Sequence, residues 1–433
     1  MNPSVTDTPP RGMYYGWNIV AVCILSQTVA NGLTYNAFSL FLRDWSAQLH
    51  APISSLTLAV AAMTMVCAVM SPLVGVLADK YPARGLFACG LLGIAAFYFA
   101  ISAVTATWQI LALYGLLAPI SLTLSTAIPA NALITRWFVR RRGLALGLSS
   151  FGIGMAGVIL PPIVAAALPT GGWRTIWRVG GLIVAVVVVP LVVFVIRNRP
   201  TEREGLHYLS GDDKPKPSGH HYGHATGVSQ LGWREVIGRR NFRLLVAIYL
   251  PMMMLYSASG QNMAPYAASH GLSQQSAGVL LSVLSLTHVV ATLVLGLLSD
   301  RFGNRLPLAG LAVAMTVGAA FLILAAGLPA ITIGCALIGF GGGVFTLLAA
   351  AIALEFGAEG VGRAFGLSMF FIPIGSLSPF VMAKTQEITG SYVPALIGFA
   401  ILVVVAGILS LLLRERREIH FTQVEWKPAP SES

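Results

Sequence analysis

The sequence predicts an all-α integral membrane protein of twelve transmembrane helices in two six-helix halves. Three observations predict it. Of the 433 residues, 56% are apolar and only 10% charged, against roughly 25% charge in an ordinary soluble domain. The apolar residues gather in runs of about 20, the length a helix needs to cross a hydrocarbon core of roughly 30 Å. A loop pattern that follows the second run returns after the eighth, at the same place in the other half of the chain.

In order, residues 1–17 form a polar N-terminal tail. The apolar run after Trp17 is too long for a signal peptide and lacks a small-residue cleavage site, so it reads as the first span. The first half, 18–197, contains spans over 18–41, 55–78, 86–106, 109–134, 144–167 and 176–197. Residues 198–242 are rich in Pro, Gly, His and charge and predict a linker, with an interfacial helix near Trp233 to Arg240. The second half, 243–414, contains spans over 243–267, 276–299, 306–327, 330–354, 363–384 and 392–413, and 415–433 is a C-terminal tail. Lipid offers an open backbone no hydrogen-bond partner, and the runs exceed the ten-residue alternation of a barrel strand, so each is read as a helix.

The formal net charge of +11 points away from nucleic acid once the basic residues are placed. Of the 27 Lys and Arg, only Arg43, Arg174, Arg178 and Lys384 fall on one side of the spans. The others, among them Lys80, Arg84, Arg140, Arg141, Arg142, Arg301, Arg305 and Arg414, fall on the opposite side. That bias puts both termini and the linker in the cytoplasm of a multi-pass cell-membrane protein, plasma or inner membrane. Cys23, Cys67, Cys89 and Cys335 lie in apolar runs without metal or redox spacing and read as apolar fillers. His220, His221 and His224 in the linker could ligate a metal, but with no completing ligand a solvated linker is favoured. No metal or cofactor is expected beyond coupled protons, and no phosphate-binding glycine loop is present to make ATP the energy source.

The repeated loop reads Gly75-Val-Leu-Ala-Asp79-Lys80-Tyr-Pro82-Ala-Arg84 and Gly296-Leu-Leu-Ser-Asp300-Arg301-Phe-Gly303-Asn-Arg305. A second echo is Gly147-Leu148-Ser149 in span 5 against Gly366-Leu367-Ser368 in span 11. The chain resembles the major facilitator superfamily, whose loop signature both copies meet closely, the first departing by Pro82. The resemblance covers all but the tails and linker. It implies a fold of two pseudo-symmetric bundles that rock about a midplane cavity. The motif then reads as a gate. Gly75 and Gly296 would admit a neighbouring helix, Asp79 and Asp300 would accept hydrogen bonds from a helix N-terminus, and Arg84 and Arg305 would pair with carboxylates, Glu355 being the nearest. Read more plainly, all are loop charges obeying topology.

Tyr15-Gly16-Trp17-Asn18 and Trp137-Phe138-Val139-Arg140-Arg141-Arg142 are similar to elements of the monocarboxylate transporter and oxalate:formate antiporter branch. That branch carries a basic residue in span 8, with an Asp four residues earlier. Here those places hold Thr292 and His288, so its carboxylate site cannot be carried over. His288 remains the one ionisable side chain near the middle of a span, where a charge costs roughly 2.5–3.5 kcal/mol, and is the leading substrate or proton site. A neutral imidazole bonded to a neighbouring helix is the plainer reading.

In this fold spans 1, 4, 7 and 10 line the cavity, which nominates Asn31, Tyr35, Asn36, Tyr256, Gln261 and Asn262; each could equally be interhelical glue. Tyr114 is placed at the outer aromatic belt, and Gly152, Gly154 and Gly157 are assigned to packing of span 5 on span 8. Among the span prolines, Pro373 is the preferred hinge.

The function expected is a secondary transporter working by alternating access, proton-coupled, for a small organic solute, with monocarboxylates leading, acting as a monomer. An efflux carrier for neutral or lipophilic compounds is the alternative. A membrane-embedded enzyme would need a cluster of acids, histidines or thiols at one depth, and a transporter-like sensor an added soluble domain.

Overall fold

The computed structural model describes residues 15–138, 142–198, 233–352, 355, 367–368 and 370–413. The two tails, most of the linker with His220, His221 and His224, Arg140, Arg141, Arg363 and Gly366 lie outside them, as do the side chains of Asp79 and Asp300.

Among the described residues every regular element is a helix, and ten helical runs are long and apolar enough to cross a membrane. Twelve spans arise from these ten for two reasons. The run Gly147–Val195 is 49 residues long, about 70 Å at the rise of an α-helix and more than twice a hydrocarbon core. It breaks at Gly172, whose φ of 66° and ψ of 159° no helix contains, dividing span 5 from span 6. Span 11 is missing from the ten because its described part is in pieces, Ile372–Gly375 and Ser378–Thr389, with Pro373 in the first turn of the shorter piece.

The remaining spans are 1 (Gly16–Asn36), 2 (Ile53–Ala78), 3 (Ala83–Ser102), 4 (Thr107–Ile134), 7 (Arg240–Gln261), 8 (Gln274–Ser299), 9 (Arg305–Leu324), 10 (Leu328–Ile352) and 12 (Val393–Ser410). Local chemistry sets several ends. The Ser273 hydroxyl caps span 8 by accepting the Ser276 N–H at 3.1 Å. Trp233–Gly238 is a short helix leading into span 7, where the linker composition predicts one.

Within the first half, span 1 packs on span 5 and span 3 on span 4; within the second, span 12 packs on spans 7 and 9. Between halves, span 2 meets span 11 and span 5 meets span 8. Shifting each partner by six converts one interface into the other, as two parallel repeats require. The Gly-Leu-Ser echo gains a reason. In the first copy the Gln27 amide of span 1 donates to the Ser149 carbonyl at 2.9 Å and hydroxyl at 2.8 Å. In the second the Tyr249 hydroxyl of span 7 donates to the Ser368 carbonyl. In each half, then, the first helix is pinned to the fifth at the repeated serine.

The two loop motifs turn differently. Gly303 closes span 8 in the left-handed region, at φ 77°, which favours glycine. Pro82, in the equivalent place, has φ −62° and ψ 128° and precedes the first turn of span 3. Opposite the motif end, Phe38, Phe41, Trp45, Phe97, Tyr98, Tyr114, Trp173 and Trp177 form one aromatic core, including edge-on pairs such as Phe97 and Tyr114 at 5.1 Å between centroids. Tyr114 is fully buried there and donates to the Thr34 carbonyl at 3.2 Å. It therefore does not belong to an outer belt, where lipid headgroups would reach it.

Candidate functional site

A narrow cleft lies between the halves. Span 1 contributes Tyr35 and Asn36, span 7 contributes Tyr256, Ser257, Gly260 and Gln261, and span 8 contributes Leu281, Leu284 and Ser285. Local breaks position these side chains. Gly32–Asn36 is a π-helical turn, which swings Tyr35 and Asn36 off the regular helical stripe, and span 7 ends at Asn262 before a short helix, Met263–Ser269, resumes. The Tyr35 side chain lies against Ser257 and Gln261, so the halves touch across the cleft. Among the described residues, none that lines it carries a formal charge. Among the described residues the Gln261 Oε1 is buried without a hydrogen-bond partner.

His288 stands just behind this surface. Its Nδ1 is 2.9 Å from the Tyr256 hydroxyl, and the two rings are perpendicular with centroids 5.5 Å apart. The other side of the imidazole is covered by span 10. A Cβ at Gly342 would lie 2.3 Å from Cγ and 2.5 Å from Nδ1, far inside contact distance. The 3₁₀ turn Phe340–Gly343 thus brings bare backbone against the imidazole.

The other nominated residues fall elsewhere. The Asn31 amide donates to the Gln27 carbonyl of its own helix at 2.9 Å, and its carbonyl accepts from Asn36 at 3.2 Å. Asn262 is buried and donates to the Ala258 and Pro379 carbonyls at 3.1 and 3.0 Å, tying the break in span 7 to span 11. Of the span 5 glycines, Gly154 and Gly157 do face span 8, at Val289 and Ser285, whereas Gly152 faces the Ile24 backbone of span 1. Glu355 accepts from Asn241 at 2.6 Å and lies 3.9 Å from Arg239, both near the entry to span 7. Ser257 and Ser285 line the cleft and were not foreseen; Ser285 lies one turn before His288, which is the signal that could have found it. Arg136 is also unforeseen, and donates to the Ala78 carbonyl within the first loop motif at 2.9 Å.

At the end opposite the loop motifs the halves are bonded directly. Glu387, in the last turn of the helix Ser378–Thr389 and past the 384 limit of the apolar run of span 11, accepts the Ser54 N–H at 2.9 Å and the Ser54 hydroxyl at 2.8 Å in the first turn of span 2, and Lys384 is 3.3 Å away. Burial acts to raise the Glu387 pKa, but the hydrogen bonds from Ser54 and Lys384 outweigh it, and the carboxyl is held below its usual range. Gln274, opening span 8, donates to the Leu40 carbonyl at 2.7 Å. At the motif end, among the described residues, a Cβ on Gly75 or Gly147 would meet nothing within 4 Å, and one on Gly296 only Thr346 of span 10 at 3.6 Å.

A family model described as Major Facilitator Superfamily matches residues 24–378 and 262–430. The chain belongs to the Major Facilitator Superfamily. Among curated relatives, human monocarboxylate transporter 12 is 25% identical over 99% of this chain and 87% of its own length. Human monocarboxylate transporter 11 is 29% identical over 71% of this chain and 60% of its own length. MFS transporter asaE of Aspergillus flavus is 25% identical over 89% and 84%. A crystal structure of a bacterial homolog to the human lysosomal transporter Spinster, inward-facing and unoccupied, superposes with a TM-score of 0.71, covering 93% of this chain and 97% of that one at 14% identity. That likeness shows the fold. As a Major Facilitator Superfamily member the chain is a membrane transporter, and its cleft lies at the boundary of the two bundles.

Proposed function

We propose that this chain is a secondary carrier moving a small organic solute by alternating access, with a monocarboxylate or related organic acid as the leading substrate and a proton as the coupled ion. The observation that supports it most is the cleft, walled by both halves, lined by neutral donors and acceptors, and backed by a histidine through one hydroxyl. An anion entering a low-dielectric site without a fixed cation is costly. A proton entering with it makes the load neutral, and His288 is placed to hold that proton. Hydroxyl and amide donors from Tyr35, Asn36, Ser257 and Ser285 suit a carboxylate, each hydrogen bond to a charged group contributing roughly 1.5–3 kcal/mol. Relatives named as monocarboxylate transporters support the same class.

The motif end is assigned to the cytoplasm from the basic bias, which puts the Glu387 clasp on the outside of the cell membrane and both termini inside. The carrier works as a monomer, since the cleft is complete within one chain.

A thermal-shift screen of purified protein against organic acids, aromatic acids, neutral metabolites and lipophilic cations tests the substrate class. Stabilisation by acids, growing as pH falls, is expected. Neutral metabolites acting alone would support a neutral solute, which the uncharged lining also suits. Stabilisation only by bulky lipophilic cations would replace the proposal with an efflux carrier.

A further inference from the structure

We infer that Tyr256 relays the protonation state of His288 to the cleft, switching the hydroxyl it shows the solute from hydrogen-bond acceptor to donor. The inference rests on the proton-coupled reading above and specifies how the proton and the solute communicate.

The geometry comes first. Tyr256 lines the cleft and His288 does not, yet the hydroxyl of one is 2.9 Å from Nδ1 of the other. Among the described residues, the groups facing His288 are Tyr256 from span 7 and the Gly342 backbone from span 10. From its own span, the Thr292 hydroxyl donates to its carbonyl. Tyr35 of span 1 stands beside Tyr256. None is a carboxylate or a cation, so the Tyr256–His288 hydrogen bond sets which atom carries the shared proton.

The chemistry follows from the donor inventory. In neutral His288 with its hydrogen on Nε2, Nδ1 is an acceptor, so the Tyr256 O–H donates to it and the tyrosine oxygen offers the cleft only lone pairs. In the imidazolium Nδ1 is a donor, the tyrosine oxygen accepts from it, and the Tyr256 O–H is free to point into the cleft. A carboxylic acid in the cleft can drive the exchange. Its O–H bond breaks as its proton forms a bond to the tyrosine oxygen, while the tyrosine's original proton leaves that oxygen for Nδ1. The products are a carboxylate accepting from Tyr256 and an imidazolium donating to Tyr256. Charge and protons balance, and the reverse step returns the proton to the carboxylate and releases the neutral acid. Carboxylate is therefore held only while His288 is protonated, which is the coupling rule of a symporter.

The test uses the full-length chain and Tyr256→Phe, which keeps the ring that packs edge-on against the imidazole. In detergent, nitrogen-15 NMR of histidine-labelled protein, with His288 assigned by His288→Asn, reads the bond without any solute. At alkaline pH the His288 Nδ1 signal should carry the signature of an accepted hydrogen bond, and Tyr256→Phe should abolish it. An unchanged Nδ1 signal overturns the relay. In liposomes, the KM for labelled pyruvate should rise about tenfold per pH unit above the histidine titration in the parent protein. Tyr256→Phe should raise the acid-pH value by about tenfold or more and flatten the profile. A parent-like profile in Tyr256→Phe would mean that the proton reaches the solute without this hydroxyl, and the inference fails. If the parent protein neither binds nor moves pyruvate, it is the monocarboxylate reading that falls, and the histidine spectrum alone decides the relay.

Discussion

At one end of the bundle the two halves are tied by a carboxylate on a helix N-terminus and by an amide on a carbonyl; at the other, among the described residues, a Cβ on Gly75 of the first loop motif would meet nothing and one on Gly296 of the second only Thr346. Glu387 and Ser54 are 333 positions apart and Gln274 and Leu40 are 234 apart, so these bonds close the longest loops in the chain. Gly75 and Gly147, the small residues one would choose for close helix approach, approach no described residue within 4 Å of a Cβ in this conformation. Under the alternating access proposed above, the contrast assigns the motif glycines to a second arrangement of the same helices, in which their space would be filled as the motif end closes and the clasp end opens.

Steric substitution at matched positions should break this contrast most strongly. Gly278, near the clasp end of span 8, would place a Cβ 2.7 Å from the Ala165 Cβ and 3.0 Å from the Pro161 carbonyl oxygen, neither of which can swing aside. Gly278→Ala is expected to destabilise this conformation by about 1–3 kcal/mol, the usual cost of overpacking, and Gly278→Leu by more. A lowered melting temperature in detergent, with the clasp end newly accessible to thiol reagents, would be the readout.

Next in size is the clasp itself. Glu387→Gln removes the charge while keeping the shape. With the Glu387 side chain 21% exposed, the lower end of the charge-assisted range applies, about 1.5 kcal/mol or roughly a tenfold shift toward the arrangement open at that end. Acid should imitate the substitution, and the sign is fixed by linkage. A carboxyl whose pKa is lowered in the clasped state stabilises that state above its ordinary value of 4.5, and the contribution is lost as pH falls through the lowered value. Accessibility of the clasp end should thus rise in the parent protein as pH falls from 4.5 through the lowered value, and stay flat with pH in Glu387→Gln.

The smallest effect on stability belongs to Gly75→Ala. With no described residue within 4 Å of the new methyl, helix propensity is the change that counts, a gain of about 0.5–1 kcal/mol. Turnover in liposomes should nonetheless fall, because the methyl occupies the approach surface of the closed motif end. Unchanged turnover would mean that Gly75 never meets a neighbour.

Much of this was legible in the sequence because membrane constraints are local. Apolar length fixed the spans, and the repeated loop fixed the halves. Tyr35, Asn36, Tyr256 and Gln261, nominated as polar groups in spans expected to line a cavity, are in the cleft. Asn31 and Asn262 were nominated on the same grounds and are bonded to backbone instead, because a π-helical turn and a helix break decide where those amides point, and neither has a marker in residue type. The Glu387 clasp was invisible for another reason: at the end of span 11 a Glu reads as an ordinary loop charge until span 2 is folded beside it. Gly342 was plain to see but carried no meaning until His288 was found against it.

The most direct test of two alternately closed ends is a pair of distances measured in the same protein by double electron–electron resonance. With the native cysteines replaced, spin labels at His50 and Thr389 report the clasp end, and labels at Tyr81 and Phe302 report the motif end. Introducing Glu387→Gln should lengthen the first distance and shorten the second together. If both lengthen, or the first lengthens while the second stays fixed, the ends are not coupled and the alternating-access account is wrong.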